Sequence, residues 1–434
     1  MRTSFRFLSL GLLLCFVGIS NAEILIPPND TNITYYGRFD SVSASTYNFN
    51  WPGSTIEACF PGPSIGVEMG SGATSCYFNI ELDGALVDSL LPNTATHRTI
   101  RTNLSTANHT IRVILRNEDY TCSFGGFYIA DGKKLVKVAQ PVRKIEFIGD
   151  SWTAGYEDGS ATTADNKYCN AALSYGRVTS KAFHAQDHIT ARRGCGMAIS
   201  LSGDPTMPTR FPKTLMDGTT AWDFTKWIPN IVTIFLGIND YNSGVTDANF
   251  KTAYTGFINT VRSHYTNVPI ICIAVSDLGN ILTDVQQVAS GFTNVYTMRS
   301  PVTYGSASAL WNHPNVAQQH LIADSLIARI RAITGWDTTA PAAVKIPFLR
   351  QEPRNLMEVK SIGTNSWKIV LNDPNQNAHS SVDIFSIEGK HIATLALDRS
   401  GVAIWNSSHA SYGLYLIGRQ SLGWKEIIVS TPKN

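Results

Sequence analysis

The sequence predicts a multidomain chain. An N-terminal β jelly roll or sandwich precedes a central α/β domain with a parallel sheet and helices on both faces, and a small β-sandwich ends the chain. Three observations predict this order. Short runs alternating in period two fill residues 23–140. Over residues 141–335 apolar strand-like runs alternate with segments of helical period, the pattern of a parallel sheet. After a proline-bearing linker at 336–358, period-two runs return over 359–434.

Length and composition agree with several folded domains. The chain has 434 residues, 43% hydrophobic and 16% charged, enough for sizeable cores and unlike a disordered protein. The net charge is +2, from 35 basic and 33 acidic residues, and no basic stripe points to nucleic acid. Residues 1–22 have the pattern of a signal peptide. Arg2 and Arg6 precede an apolar run from Leu8 to Ile19, and Ser20-Asn21-Ala22 offers a small-residue cleavage site. No later stretch is apolar enough to span a bilayer, so a secreted protein, or one held at a bacterial cell surface, is expected. Cys15 lies in the signal. Six cysteines remain, too few for a dense disulfide scaffold, and Cys272 inside the run Pro269–Val275 is expected to be a buried free thiol. No CxxC pair or histidine cluster calls for a metal, and no cofactor is expected.

Within the first domain, Ser64–Met69, Tyr77–Leu82 and Thr110–Leu115 alternate cleanly, and Asp83-Gly84, Pro92-Asn93 and Asp131-Gly132 mark turns. In the second, Ile145–Ile148 is the first strand, Leu173–Phe183 has helical spacing, and His188–Ala191 and Ile231–Leu236 are strands. Thr246 caps a helix with Phe250, Ala253, Tyr254, Phe257, Ile258 and Val261 on one face. Pro269–Val275 and Phe292–Met298 are further strands. The last helix carries Val316, His320, Leu321, Asp324, Leu326, Ile327 and Ile330, and Gly335 closes it.

Four blocks carry chemistry: Gly149-Asp150-Ser151, Arg193-Gly194-Cys195-Gly196, Gly237-Ile238-Asn239-Asp240 and His313-Pro314. Acyl transfer needs a nucleophile, a base and donors aimed at a developing oxyanion. Ser151 and His313 are the catalytic candidates. The backbone N–H groups of Ser151 and Gly194 and the Asn239 side-chain amide are the oxyanion candidates. Asp150 reads as a residue that holds its turn. Ligands of open α/β sheets bind beyond the C-terminal strand ends, where Ser151 and Asn239 both sit. Trp152 and Trp311 flank the catalytic pair in sequence and are candidates for a substrate-binding wall, with core packing the alternative for each. Trp222, Trp227 and Tyr241 are weaker candidates of the same kind.

On these blocks, residues 142–334 resemble an SGNH (GDSL-like) hydrolase, which implies a flavodoxin-like parallel sheet. With the β-rich prefix, and with Phe124–Gly132 and Arg143–Ser151 resembling the junction, residues 23–334 resemble carbohydrate esterase family 2. That family joins a jelly roll to an SGNH domain and deacetylates plant polysaccharides such as xylan and mannan. The second block is the looser match, with Ala191 and Arg192 ahead of Gly194. SGNH enzymes commonly place an Asp three residues before the histidine, and some esterases of this family two before. Leu310 and Trp311 stand there instead. The resemblance therefore implies a Ser151–His313 dyad, with a backbone carbonyl accepting the Nδ1–H of His313. A distant acid stays open. Val382–Lys390 and Ser411–Ile417 resemble the sorting domains of type IX secreted bacterial proteins, with an appended carbohydrate-binding β module as the alternative.

The expected activity is that of an acetyl xylan esterase acting on acetylated polysaccharide or oligosaccharide, in a monomer without nucleic acid, membrane span or cofactor. The alternatives are an SGNH lipase or phospholipase, and a non-catalytic carbohydrate-binding protein with a decayed hydrolase domain.

Overall fold

The computed structural model describes residues 22–70, 76–90, 97–118 and 120–338, and then 357–363, 366–371, 381–386, 391–398, 400–406, 413–419 and 423–429. The signal segment to residue 21, the Pro92-Asn93 turn, the linker over 339–356, and Ile387–Lys390 and Ser411-Tyr412 of the C-terminal pattern lie outside the described residues. Two compact units divide after Thr338.

The first unit opens with eleven strands: β1 (Glu23–Ile26), β2 (Thr34–Tyr36), β3 (Asp40–Ser43), β4 (Thr46–Phe49), β5 (Thr55–Pro61), β6 (Ile65–Met69), β7 (Phe78–Leu82), β8 (Ala85–Leu90), β9 (His97–Arg101), β10 (Asn108–Leu115) and β11 (Cys122–Ala130). They form two antiparallel sheets, β3-β4-β11-β6-β9 with β1 on β11, and β2-β5-β10-β7-β8. Alternate residues such as Phe49, Ile56, Phe78, Ile111, Phe124 and Phe127 meet between the sheets and are buried. Asp83 and Gly84, at φ 52° and 81°, make the two-residue hairpin between β7 and β8. A disulfide from Cys76 to Cys122 ties the start of the β7 hairpin to β11 in the opposite sheet.

Strand β5 is buried on both faces. Its second face, with Thr55 and Glu57, has no solvent side because the α/β domain lies near it. Arg177 of the α/β domain donates to Gly53 O at 2.6 Å and to Thr55 Oγ1 at 2.8 Å. Trp51 Nε1 donates to Thr214 O at 2.9 Å. Arg38, 1% exposed, pairs with Glu146 at 2.9 Å and donates to the carbonyls of Phe211 and Lys213. Its guanidinium lies 5.1–5.7 Å from the ring centres of Trp51, Phe211, Trp222 and Phe224.

The α/β domain has the parallel strands β12 (Lys144–Gly149), β13 (Gln186–Ala191), β14 (Ile231–Phe235), β15 (Ile270–Ala274) and β16 (Val295–Arg299), in the order β13-β12-β14-β15-β16. Its helices are α1 (Ser151–Ala154), α2 (Tyr175–Ala182), α3 (Met207–Arg210), α4 (Ile238–Asn242), α5 (Asp247–His264), α6 (Ile281–Ser290) and α7 (Val316–Thr334). The chain runs from β12 out to β13 on one side and returns past β12 to β14 on the other. That switch opens a crevice at the C-terminal ends of these strands. Gly149 pairs with Ala191 and with Phe235 there, so the segments after β12, β13 and β14 emerge side by side.

Local chemistry shifts some expected boundaries. The expected 173–183 helix is a 3₁₀ turn at Ala171–Leu173 followed by α2, because Ser174 is extended and its hydroxyl donates to Ala171 O at 2.9 Å. β16 starts at Val295 because Asn294, at φ 59°, turns the chain. Thr246 caps α5 as expected, accepting from Asn249 N at 3.3 Å. On α7 the buried face is Gln319, Ile322, Ala323, Leu326 and Ile330, and Leu321 is exposed. The polar Gln319 sits in that face because it bonds two backbones. It accepts from Tyr175 N at 2.9 Å and donates to Trp152 O at 3.0 Å. Cys272 is a fully buried free thiol in β15.

The second unit contains β17 (Met357–Gly363), β18 (Ser366–Leu371), β19 (Ser381–Ser386), β20 (His391–Ala396), β21 (Val402–Asn406), β22 (Gly413–Arg419) and β23 (Gly423–Val429). They form antiparallel sheets β17-β18-β21 and β20-β19-β22-β23 around Ile369, Val382, Ile384 and Trp405.

Candidate active site

The turn after β12 is built for close approach. A Cβ on Gly149 would lie 1.9 Å from Thr153 Oγ1 and 2.9 Å from Phe235 O, so only glycine lets α1 start there. Asp150 caps that helix by accepting from Trp152 N at 3.0 Å. Gly155, at φ 68°, ends it after one turn. Ser151 is therefore the first helical residue, with its side chain facing the crevice.

Ser151 Oγ lies 2.8 Å from His313 Nε2. The histidine arrives on a tight turn. Trp311 and Asn312 are both left-handed, at φ 53° and 59°, and His313 N donates to Leu310 O at 3.3 Å, the geometry of a type I′ turn. The same carbonyl lies 2.7 Å from His313 Nδ1. A carbonyl only accepts, so the proton belongs on Nδ1 and the Nε2 lone pair faces the serine hydroxyl. Among the described residues no carboxylate bonds to this ring. The turn is anchored by Leu310 N to Ser160 O at 2.8 Å and by Asn312 Nδ2 to Tyr304 O at 3.1 Å. Burial pushes the His313 pKa below the ordinary 6.5, and the Leu310 bond opposes this only in part.

Asn239 follows β14 on α4. Gly237, at φ 124°, makes the sharp entry, where a Cβ would lie 2.5 Å from Ile281 Cδ1. The Asn239 amide donates to Cys195 O at 2.9 Å and makes a longer contact of 3.4 Å to Asp150 Oδ2. Gly194 follows β13 with φ 71° and accepts from Leu201 N at 2.8 Å. Asp150 is fully buried, and its pKa is pushed up to about 7 by burial, with the nearby Asp240 charge adding to the shift.

These groups meet in a cleft of about 580 Å³ lined by Ser151, His313, Gly194, Asn239, Tyr156 and Trp311 among others. Trp311 is 59% exposed at the lip. Tyr156 lies parallel to it, with centroids 6.2 Å apart at 14°, and edge-on to His313 at 5.2 Å. The Arg193 guanidinium sits 5.1 Å from the Tyr156 ring centre.

Residues 35–138 match the family described as carbohydrate esterase 2 N-terminal, and residues 147–298 the GDSL-like lipase/acylhydrolase family. Cellulase/esterase CelE of Acetivibrio thermocellus is 30% identical over 341 residues, which cover 73% of this chain but only 41% of that protein. An acetylxylan esterase / glucomannan deacetylase of Cellvibrio japonicus is 24% identical over 315 residues, covering 67% of this chain and 87% of the relative. The solved structure of an active-site mutant of a family two carbohydrate esterase from Clostridium thermocellum is 30% identical. It has a TM-score of 0.65 and covers 70% of this chain and 99% of its own. The chain belongs to carbohydrate esterase family 2.

In this family 2 esterase the structure brings Ser151, His313, Gly194, Asn239 and Trp311 round one cleft. Trp152 differs from Trp311. It is 1% exposed, packs edge-on against Phe235 at 5.5 Å, and reaches the cleft only as part of its floor. Trp222, Trp227 and Tyr241 are not part of the lining. Trp227 stacks on His188 at 3.6 Å, Trp222 lies against Arg38, and Tyr241 donates to Asp284 at 2.7 Å. Sequence reasoning missed Tyr156 and Arg193. The only signal was their position, one a few residues past Ser151 and the other just before Gly194.

Proposed function

We propose that this family 2 esterase is an exported enzyme that removes O-acetyl groups from plant polysaccharide, acetylated xylan, mannan or glucomannan, through an acetyl-serine intermediate. The observation that carries it is the 2.8 Å contact of Ser151 Oγ with His313 Nε2, whose ring is held by the Leu310 carbonyl. Ser151 attacks the acetyl carbonyl while His313 takes its proton. The Ser151 and Gly194 N–H groups receive the oxyanion. The Asn239 amide joins them with the proton that is held only by the 3.4 Å contact to Asp150. His313 then protonates the departing sugar hydroxyl. Water, deprotonated by the same ring, attacks the acetyl-serine and releases acetate and free Ser151. The Leu310 carbonyl fixes the tautomer but stabilises the imidazolium less than a carboxylate would.

The activity named for the Cellvibrio relative supports both the acyl group and the polymer. The exposed face of Trp311 suits stacking on a sugar ring. Trp311→Ala is expected to cost about 1 kcal/mol, or about fivefold in KM for the polysaccharide, with KM for a small aryl acetate unchanged. The apparent pKa of the acid limb of kcat/KM is expected below 6.5. The base works only when neutral, and a lowered pKa keeps it neutral to lower pH. A pH–rate profile measures this. The signal pattern and the Cys76–Cys122 disulfide support export to an oxidising compartment. The resemblance of Val382–Lys390 and Ser411–Ile417 to type IX sorting domains supports a surface-sorting role for the C-terminal unit.

Acetate release from acetylated xylan and glucomannan, and turnover of short and long aryl esters, test the reading against Ser151→Ala. Release from short esters and polymer, abolished in the variant, is the expected result. Preference for long esters would favour a lipase, and glycan binding without turnover a binding protein.

A further inference from the structure

The segment 194–200 carries one of the proposed oxyanion donors yet contains no regular element of its own after β13. Its shape is imposed from α4. The Asp240 carboxylate, 0% exposed, accepts three successive backbone N–H groups: Met197 at 2.7 Å, Ala198 at 2.6 Å and Ile199 at 2.9 Å. Gly196 allows this wrap, since a Cβ there would lie 1.8 Å from Ile199 O and 2.9 Å from Asp240 Oδ2. Ser200 Oγ accepts from Gly196 N at 3.0 Å, and Gly194 O accepts from Leu201 N at 2.8 Å, closing the loop on itself. The residue before Asp240 grips the same loop from the other direction, since the Asn239 amide donates to Cys195 O.

Asn239 and Asp240 thus hold one loop by opposite polarity, a carbonyl by an amide and three amides by a carboxylate. We propose that Asp240 is a positioning residue for catalysis. By clamping 197–199 it holds the Gly194 N–H and the Asn239 amide in one fixed frame, so that both donors meet the tetrahedral oxyanion without rearranging. The inference rests on the esterase reading above. Donors fixed in advance stabilise the transition state more than the ground state, so loss of the clamp acts on kcat. An amide is a poor substitute for the carboxylate, because its NH₂ would face backbone donors.

The test uses the full-length mature chain and a short aryl acetate. Asp240→Asn is expected to lower kcat about 100-fold with KM within about twofold. It is also expected to weaken binding of a small alkyl boronic acid, which mimics the tetrahedral adduct on Ser151, by a similar factor. A residue that only stabilised the fold would lower the melting temperature and leave both readings of the folded protein unchanged. Folded Asp240→Asn with kcat within threefold of wild type overturns the inference. If Asp240→Asn does not fold, Ser200→Ala removes the acceptor for Gly196 N together with the hydroxyl's own bond to Pro205 O at 3.2 Å, and leaves the Asp240 carboxylate in place. A several-fold fall in kcat at constant KM supports the clamp, and an unchanged kcat overturns it. An inactive wild type would overturn the esterase reading and this inference with it. An active wild type with an equally active Asp240→Asn overturns the inference alone.

Discussion

His313→Ala is expected to lower kcat for a short acetyl ester by about 10⁴-fold or more, and a Ser151→Ala/His313→Ala double variant should be no slower than the weaker single variant. The reason lies in how the two side chains share one proton. Ser151 Oγ has its base 2.8 Å away, and no carboxylate bonds to that base among the described residues. Without the ring, the hydroxyl keeps its proton and attacks poorly. Without the hydroxyl, the ring has no nucleophile to activate. What remains in every variant is transition-state binding by the oxyanion donors, so the floor should be common to all three. Single-turnover assays on an aryl acetate read these rates. Losses that multiplied in the double variant would mean that the two residues act independently, contrary to the dyad.

Arg38→Met is expected to destabilise the first compact unit by about 3–5 kcal/mol, because it strands a buried carboxylate. Glu146 is 0% exposed and would keep its bond from Thr190 Oγ1 but lose its positive partner. The carbonyls of Phe211 and Lys213 would lose a donor, and four aromatic rings would lose the cation between them. Arg38→Met/Glu146→Leu is expected to recover at least half of the loss, since removing both charges removes the stranded one. Urea melts of the two variants and the wild type at pH 7 measure this. Because Arg38 lies between β2 and β3 and Glu146 in β12, the β-sandwich and the α/β domain are expected to unfold in one step in all of them.

Much of this site was legible in the sequence because its residues follow regular elements. Ser151 comes after an apolar run, Asn239 after another, and His313 just before an amphipathic helix, and such positions survive from sequence to fold. What lay hidden depends on irregular backbone. Nothing in Leu310-Trp311-Asn312 announces two successive left-handed residues, since such turns usually show Asn-Gly, and a Trp there is unfavourable in isolation. The separation of Trp152 from Trp311 was equally hidden. Both lie within two residues of a proposed catalytic residue in sequence, but one is a helical residue facing Phe235 and the other the tip of a turn. Six cysteines permit fifteen full pairings, so the Cys76–Cys122 bond needed the sandwich to bring its sheets together. Arg38 gave no signal at all. Its hydrogen-bond partners lie 108 residues or more away, and buried charge has no sequence period.

The group that holds His313 belongs to the peptide bond of residue 310 and to no side chain. It has no proton to gain in acid, so the orientation of the ring carries no pH dependence of its own. Its identity is also indifferent to what residue 310 is. Any amino acid that keeps the bend supplies the same oxygen, so exchanges at Leu310 should leave the base oriented. The genetic vulnerability moves instead to 311 and 312, whose left-handed conformation aims that oxygen. On this account residue 310, three positions before His313, is free to vary over generations, and what is inherited under constraint is the shape of the turn.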